Sequence, residues 1–575
     1  ANDTQTTATD LRKSPRINRE FCKFAVQTEK RTMIFRKFFA PIGALLTAGS
    51  VATATAAEVE SAITRHKPRL VVQIVVSQMR YDYLLRFADN FGDKGFHTLV
   101  REGALCTRAM YDYALTRTGS GLATVSTGTN PAMHGVVGER WFNYTTGEAI
   151  DLATDKKAFT VGSDEYDGQY SPRGLIASTV GDQLKTVYRD SKVVSVALDP
   201  VSAVVMGGHA ADAVYWLNAK NGHWVTSNYY ESELPEWVRK FNEQEVVTSY
   251  SAQRWEISKP LKAYRNEEYT DISVDSTRGI NFDFLTRKKY DYDRLRASAG
   301  GNSLVRDFAV QTIIYEGLGN DDAPDILNIV FDSPRYIGER YGTGSIELED
   351  CYYRLDEELA ALLDFLETQV GRERLLVVLT SDHGASDPIR ADSRMPAGLF
   401  DNGQFAAIIS GFLGAQLGPG DWLLKFDNRQ IYLNRSLIYQ KGHRLEEIQD
   451  RVANFAIQFS GVSQAVTATA LQNGHFSGGI MGRIQNSFFP RNSGDVVINL
   501  MPGWIEYTEG RLSDSGSPYN YDTHVPLLWF GGMIGKLDVE RDVNPADIAP
   551  TIADLLGIAP PPAATGVPIR EIRVK

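Results

Sequence analysis

Cysteine is nearly missing: three residues in 575, at Cys22, Cys106 and Cys351. Such a chain is no disulfide scaffold, and once its start is removed it offers at most one bridge, Cys106 to Cys351. There is no excess of basic residues either. With 60 Lys+Arg against 71 Asp+Glu the net charge is −11, and the basic face of a dedicated nucleic-acid binder is lacking. Compositional bias is also absent. A content of 43% hydrophobic and 23% charged residues is that of a globular protein, which excludes disordered, collagen-like and coiled-coil chains. After residue 57 no apolar run approaches the ~20 residues of a membrane span.

The one apolar run that draws attention comes early. Met33-Ile34-Phe35-Arg36-Lys37 leads into a mostly apolar stretch from Phe38 to Ala54, followed by the small residues Thr55-Ala56-Ala57. A basic start, an apolar middle and a small-residue end read as a signal peptide over 33–57. The competing reading is a lone membrane anchor, weakened by Pro41, Gly43 and Gly49 inside the run. Residues 1–32 read as an upstream non-globular segment. Removing 1–57 takes away a net +5 and leaves 58–575 at −16. The expected setting is the periplasm or an outer surface, with no membrane span after processing.

Five short β-branched runs punctuate the remainder: Leu70–Val76, Val193–Leu198, Ile326–Phe331, Leu375–Leu379 and Val525–Phe530. Runs of this kind suit strands buried on both faces of a parallel sheet. Helical patterns lie between them, the clearest over Ser345–Val370 with its stripe of Tyr353, Leu355, Leu359, Leu362 and Leu366. Alternation of the two predicts a doubly wound α/β fold with a mostly parallel sheet. Residues 210–300 carry Trp216, Trp224, Trp237 and Trp255 and predict an inserted aromatic-rich subdomain over the loop edge. Its aromatics either pack a small lobe or offer a surface to a protein, sugar or base. Residues 415–505 predict a second, irregular insertion.

Ligands of open parallel sheets bind beyond the carboxyl ends of the strands. Ser77 follows the first run, Asp332-Ser333-Pro334-Arg335 and Glu339 follow the third, and Asp382-His383-Gly384 follow the fourth. A carboxylate and an imidazole at a strand end are suitable zinc donors. Thr118, within Thr116-Arg117-Thr118-Gly119-Ser120-Gly121, opens a helix and reads either as an N-cap or as a nucleophile.

The order of these pieces, with Ser126-Thr127-Gly128, Gly208-His209-Ala210 and Asp547-Ile548-Ala549-Pro550-Thr551, resembles the alkaline phosphatase and phosphodiesterase superfamily. The nearest likeness is to single-chain periplasmic bacterial alkaline phosphatases with a Thr nucleophile, over most of 67–570. The resemblance implies a metal-dependent phosphate-ester hydrolase with two zinc ions and Thr118 as nucleophile. It places Asp382 and His383 on the metal beside the nucleophile, and His524 on the metal that activates water.

Three positions depart from the pattern. Ser77 and Arg335 stand where Asp is expected, and Glu339 where His is expected. A guanidinium has no lone pair to give a metal and repels a dication in a low-dielectric cleft. Glu139 stands where the family often has an Asn touching phosphate, and its charge repels a phosphate monoester. The departures imply at most one weakly held zinc, with Arg335 in place of the water-side metal, held by Glu339 or Asp332. An alternative turns Arg335 outward. A phosphate or other anion is expected at Arg335, Arg173, Arg117 and the Thr118 helix start. Two readings follow: a degenerate binding or scaffolding protein with weak or lost phosphatase activity, or an active phosphomonoesterase or phosphodiesterase with one altered metal site. A sulfatase is disfavoured, because neither Cys106 nor Cys351 sits in Cys-x-Pro-x-Arg. His134 and His209 read as structural.

Overall fold

A computed structural model describes residues 67–574 apart from 164–167, 254, 266–290 and 390–395. The upstream segment 1–32 and the signal peptide 33–57 therefore lie outside the described residues. The first apolar run forms β1 (Leu70–Val76). Its alternate side chains enter two different cores, Val72, Ile74 and Val76 on one face and Val71 and Val75 on the other. Both faces being dry, the strand tolerates no polar alternation.

Nine more strands join it: β2 (Ala104–Cys106), β3 (Thr160–Val161), β4 (Val193–Ala197), β5 (Ala213–Leu217), β6 (Trp224–Ser227), β7 (Asp325–Phe331), β8 (Leu375–Thr380), β9 (Leu527–Gly531) and β10 (Leu537–Val539). The sheet order is 10-2-9-8-1-7-4-5-6-3. The central run 8-1-7-4-5 is parallel. The last apolar run, expected as another parallel strand, instead pairs antiparallel, with Leu376 opposite Gly531 and Thr380 opposite Leu527. Continuous burial marks a central strand and says nothing of its direction.

Helices cover both faces. α1 (Thr118–Thr127), α2 (Pro200–Gly207) and α6 (Ile548–Leu556) share one core, and α3 (Ala299–Glu316), α4 (Ser333–Tyr341) and α5 (Ile346–Gln369) the other. In α5 the hydroxyl of Ser345 accepts from the Leu348 N–H and caps the helix, and Leu355, Leu359, Leu362 and Leu366 are buried as the stripe predicts.

The aromatic stretch departs from expectation. β5 and β6 are strands of the main sheet, and Trp216, Trp224, Trp237 and Trp255 are all buried. Trp224 stacks on Phe308 of α3 with ring centroids 3.9 Å apart. Clustered aromatics here mark core, so the surface for a protein partner expected from them is not formed by these four residues. The second insertion is regular rather than irregular: Leu423–Asp427, Gln430–Leu433, Val496–Leu500 and Val462–Thr467 form a four-stranded antiparallel sheet. It carries its own core of Phe405, Ile409, Trp422 and Ile448. Cys106 and Cys351 are buried and unpaired, so the one bridge the cysteine count allows does not form. Among the described residues no helix is long and apolar enough to cross a membrane.

Candidate functional site

The carboxyl ends of β1 and β8, adjacent in the sheet, meet the start of α1. Two glycines allow the approach. A Cβ at Gly121 would lie 1.9 Å from the Asp382 carbonyl oxygen, and one at Gly384 would lie 2.0 Å from that of Tyr521. α1 can therefore rest directly on the backbone of the Asp382 loop.

This packing joins four of the expected residues: Thr118, Ser77, Asp382 and His383, each buried. The N-cap of α1 is Arg117, and Thr118 is the first helical residue, so its hydroxyl is not spent on capping. The Oγ1 of Thr118 lies 3.0 Å from His383 Nε2. The other ring nitrogen, Nδ1, lies 2.6 Å from the Gly384 carbonyl, which can only accept. A neutral imidazole so placed carries its proton on Nδ1 and receives the Thr118 hydroxyl at Nε2. Asp382 Oδ2 accepts from the Ser77 hydroxyl at 2.6 Å, and Oδ1 accepts from the backbone N–H of Gln78 and of His383, each at 2.9 Å. Gln78 takes a left-handed φ of 67° to make its contact, which is uncommon outside glycine.

His524 is not brought to this group. Its Nε2 lies 3.0 Å from the Thr107 carbonyl, and its ring stacks on Tyr81 with centroids 4.3 Å apart. Burial holds its pKa below the usual imidazole value, against the pull of that carbonyl. In this structure the His524 ring is engaged by the Thr107 carbonyl and by Tyr81. His134, hydrogen-bonded to Thr124, and His209, paired with Asp182, are structural as expected.

Arg335 turns toward the end of β4, on the far side of β7. Its guanidinium donates to Asp199 at 3.0 Å, has Asp332 at 3.8 Å and Glu339 at 4.0 Å, and lies over Tyr336 at 4.3 Å. The expected holder Asp332 is occupied elsewhere: its carboxylate accepts from the N–H groups of Leu198 and Asp199 and from the Ser202 hydroxyl. Burial and the neighbouring Asp199 raise the Asp332 pKa. Burial opposes ionisation of Asp199 as well, but Arg335 and Arg296 together with the hydrogen bonds from Tyr336 and Val201 hold that carboxyl below its ordinary range. Glu339 also pairs with Arg511 at 3.3 Å.

The cations expected to hold an anion are all spent on carboxylates. Arg335 is on Asp199, Arg173 lies 2.9 Å from Asp155, and Arg117 donates to Asp514 at 2.5 Å and pairs with Glu506. Arg429 completes that last cluster, with Asp514 at 3.0 Å and Glu506 at 3.3 Å. Two guanidinium groups and two carboxylates thus balance out of water beside Thr118. Sequence reading missed Arg429, Glu506 and Asp514. Asn428 and Arg429 both have left-handed φ, and only that tight turn carries Arg429 inward. At the start of α1 the N–H of Gly119 donates to Glu139 Oε1 at 3.1 Å.

A two-zinc centre does not fit this donor set. Structural and catalytic zinc sites use three or four protein donors. The nucleophile side offers Asp382, His383 and Thr118, already bonded to Ser77 or to one another. The water side offers a guanidinium. Among the described residues no three His, Cys, Asp or Glu side chains are grouped to hold a metal.

Comparison with known proteins places the chain. The family model described as type I phosphodiesterase / nucleotide pyrophosphatase matches residues 71–522. A protein named calcium-transporting ATPase from Myroides odoratus is 32% identical over 518 residues, covering 88% of this chain and 94% of the relative. Alkaline phosphatase PhoV of Synechococcus elongatus is 30% identical over 540 residues, covering 88% and 93%. A crystal structure of wild-type alkaline phosphatase PafA superposes with a TM-score of 0.83 at 30% identity, over 88% of this chain and 99% of that one.

Proposed function

The chain belongs to the type I phosphodiesterase / nucleotide pyrophosphatase family, within the alkaline phosphatase superfamily, and from that premise we propose that it has given up two-metal ester hydrolysis. In this reading it is an exported binding or scaffolding protein, with Met33 opening its signal peptide and with weak or lost phosphatase activity. One observation carries the proposal: Arg335 is ion-paired with Asp199 where the family resemblance expects a metal ligand. A fixed guanidinium there supplies charge but no lone pair, so it can neither bind nor ionise a water molecule as a metal does.

A second reading has one specific observation in its favour. The Thr118 hydroxyl lies 3.0 Å from Nε2 of His383, the nitrogen that a neutral imidazole donating from Nδ1 to the Gly384 carbonyl leaves free to accept. A hydroxyl so placed can lose its proton to the imidazole as it attacks phosphorus, while the P–O bond to the ester's alcohol breaks and the departing oxygen takes up a proton. The resulting hydrolase would use Thr118 with His383 as base.

Metal analysis and turnover of an aryl phosphate separate the two. The proposal expects fewer than one zinc per chain and no turnover above background. Two tightly bound zincs with turnover would overturn it. The variant Ser77→Asp/Arg335→Asp/Glu339→His is expected to take up at least one zinc more than the parent. Equal zinc content would show that the lost ligands are misplaced.

A further inference from the structure

We propose that Glu139 is a built-in anion: its carboxylate occupies the start of α1 beside Thr118 and closes that seat to external oxyanions. The inference rests on the reading that no dications hold the pocket.

The contact is constructed from several directions. The Glu139 backbone is held by Leu152, whose N–H donates to the Glu139 carbonyl at 2.8 Å. The next carbonyl, that of Arg140, accepts from the Asn428 side-chain amide, and the Arg140 guanidinium pairs with Asp427 at 2.8 Å. On the other side Gly138 has φ of +148°, and a Cβ there would lie 2.6 Å from the Asn428 amide nitrogen. Residues 138–140 are thus fixed between Leu152 and the 427–428 turn. That placement sets the Glu139 carboxylate on the Gly119 N–H at 3.1 Å. A Cβ at Gly119 would meet Leu152 Cδ2 at 2.8 Å, so the Leu152 side chain also packs against the start of α1.

Charge makes the same point independently. The free N–H groups of a helix start attract an anion. Arg117, the residue before Thr118, would ordinarily add to that attraction, yet its guanidinium is tied to Asp514 and Glu506. Arg429 faces the same two carboxylates. The four groups cancel one another, so an arriving phosphate finds no uncommitted guanidinium among them. It would also have to displace a carboxylate tethered to the same chain, whose effective concentration is in the millimolar range or above. The ligand class kept out is a tetrahedral oxyanion such as phosphate or sulfate.

The test uses the full chain with EDTA present throughout. Orthophosphate is titrated calorimetrically into the parent and into Glu139→Gln and Glu139→Ser. Two variants are used so that one that folds poorly still leaves the other. Either variant is expected to bind phosphate at least tenfold more tightly than the parent, and phosphate is expected to raise its melting temperature while leaving that of the parent unchanged. Equal affinity in parent and variants, or no binding in any of them, would overturn the inference. Zinc content and aryl-phosphate turnover of the parent, measured separately without phosphate, decide the reading on which it rests.

Discussion

Truncating Arg335 to Ala removes the guanidinium that Asp199 and Asp332 surround. The Arg335 side chain is 11% exposed, that of Asp199 18% and that of Asp332 not at all, so solvent replaces little of what is lost. Breaking a buried pair by deleting one partner costs about 3–5 kcal/mol. Asp199 would keep the Tyr336 hydroxyl at 2.6 Å and the Val201 N–H at 2.9 Å, which favours the lower end, about 3 kcal/mol. Unfolding entropy of about 2.1 cal/mol/K per residue gives a chain of this length about 1 kcal/mol per degree. The melting temperature should therefore fall by about 3 °C. The sign with pH follows from Asp199. Its folded pKa is depressed, so its stabilisation is present above the unfolded value of about 3.9 and lost as pH falls through the folded value. The gap between parent and Arg335→Ala should be widest near neutrality and shrink as pH falls below about 4. Adding Asp199→Asn to the Ala variant should recover at least about 1 kcal/mol, because it removes the unpaired charge and keeps a partner for Tyr336. Calorimetric melting of the four proteins at neutral and acid pH makes the comparison. A loss below about 1 °C, or strict additivity of the two substitutions, would refute the assignment of Arg335 to this carboxylate pair.

Two further outcomes follow from packing and protonation. Gly121→Ala should leave little soluble protein, or melt far below the parent by more than about 4 kcal/mol, because its methyl meets backbone at 1.9 Å and no rotamer relieves it. A normally melting Gly121→Ala protein would contradict the close seating of α1 on the Asp382 loop. His524→Phe keeps the stack on Tyr81 and removes the titrating ring. The folded pKa of His524 is depressed, so the unfolded state takes the proton more readily and stability drops as pH falls below about 6.5. The Phe variant should show a shallower fall of melting temperature from pH ~6.5 to ~5 and unchanged zinc content. An unchanged slope, or altered zinc content, would put His524 elsewhere.

Much of the architecture was legible because burial writes itself into composition. Leu70–Val76, Leu375–Leu379 and the α5 stripe could be read directly, since a strand dry on both faces and a helix dry on one admit few other residues. Strand direction was not legible for β9, because the same apolar run serves parallel and antiparallel neighbours alike. The aromatic stretch left two readings open for a related reason. Trp and Tyr are large enough to fill a core or to present a surface, and only the pairing of β5 with β6 shows that Trp216 and Trp224 do the first.

The site divides in the same way. Thr118, Asp382 and His383 were legible because Thr118 opens α1 and the other two follow β8 within three residues, where the sheet itself dictates convergence. Ser77, Arg335 and Glu339 were legible as chemical substitutions, since a hydroxyl or a guanidinium cannot do the work of a carboxylate whatever its rotamer. Where Arg335 would go was not. It has carboxylates three and four residues away on its own helix, yet it takes Asp199, which is 136 residues distant in sequence. The nearer Asp332 is committed to the turn after β4, where it already has three donors, whereas Asp199 has two besides the guanidinium, the Tyr336 hydroxyl and the Val201 N–H. His524 is the converse case. A histidine just before a strand invites a metal role, but the choice between metal and carbonyl depends on which way the ring turns, and here Tyr81 and Thr107 decide it.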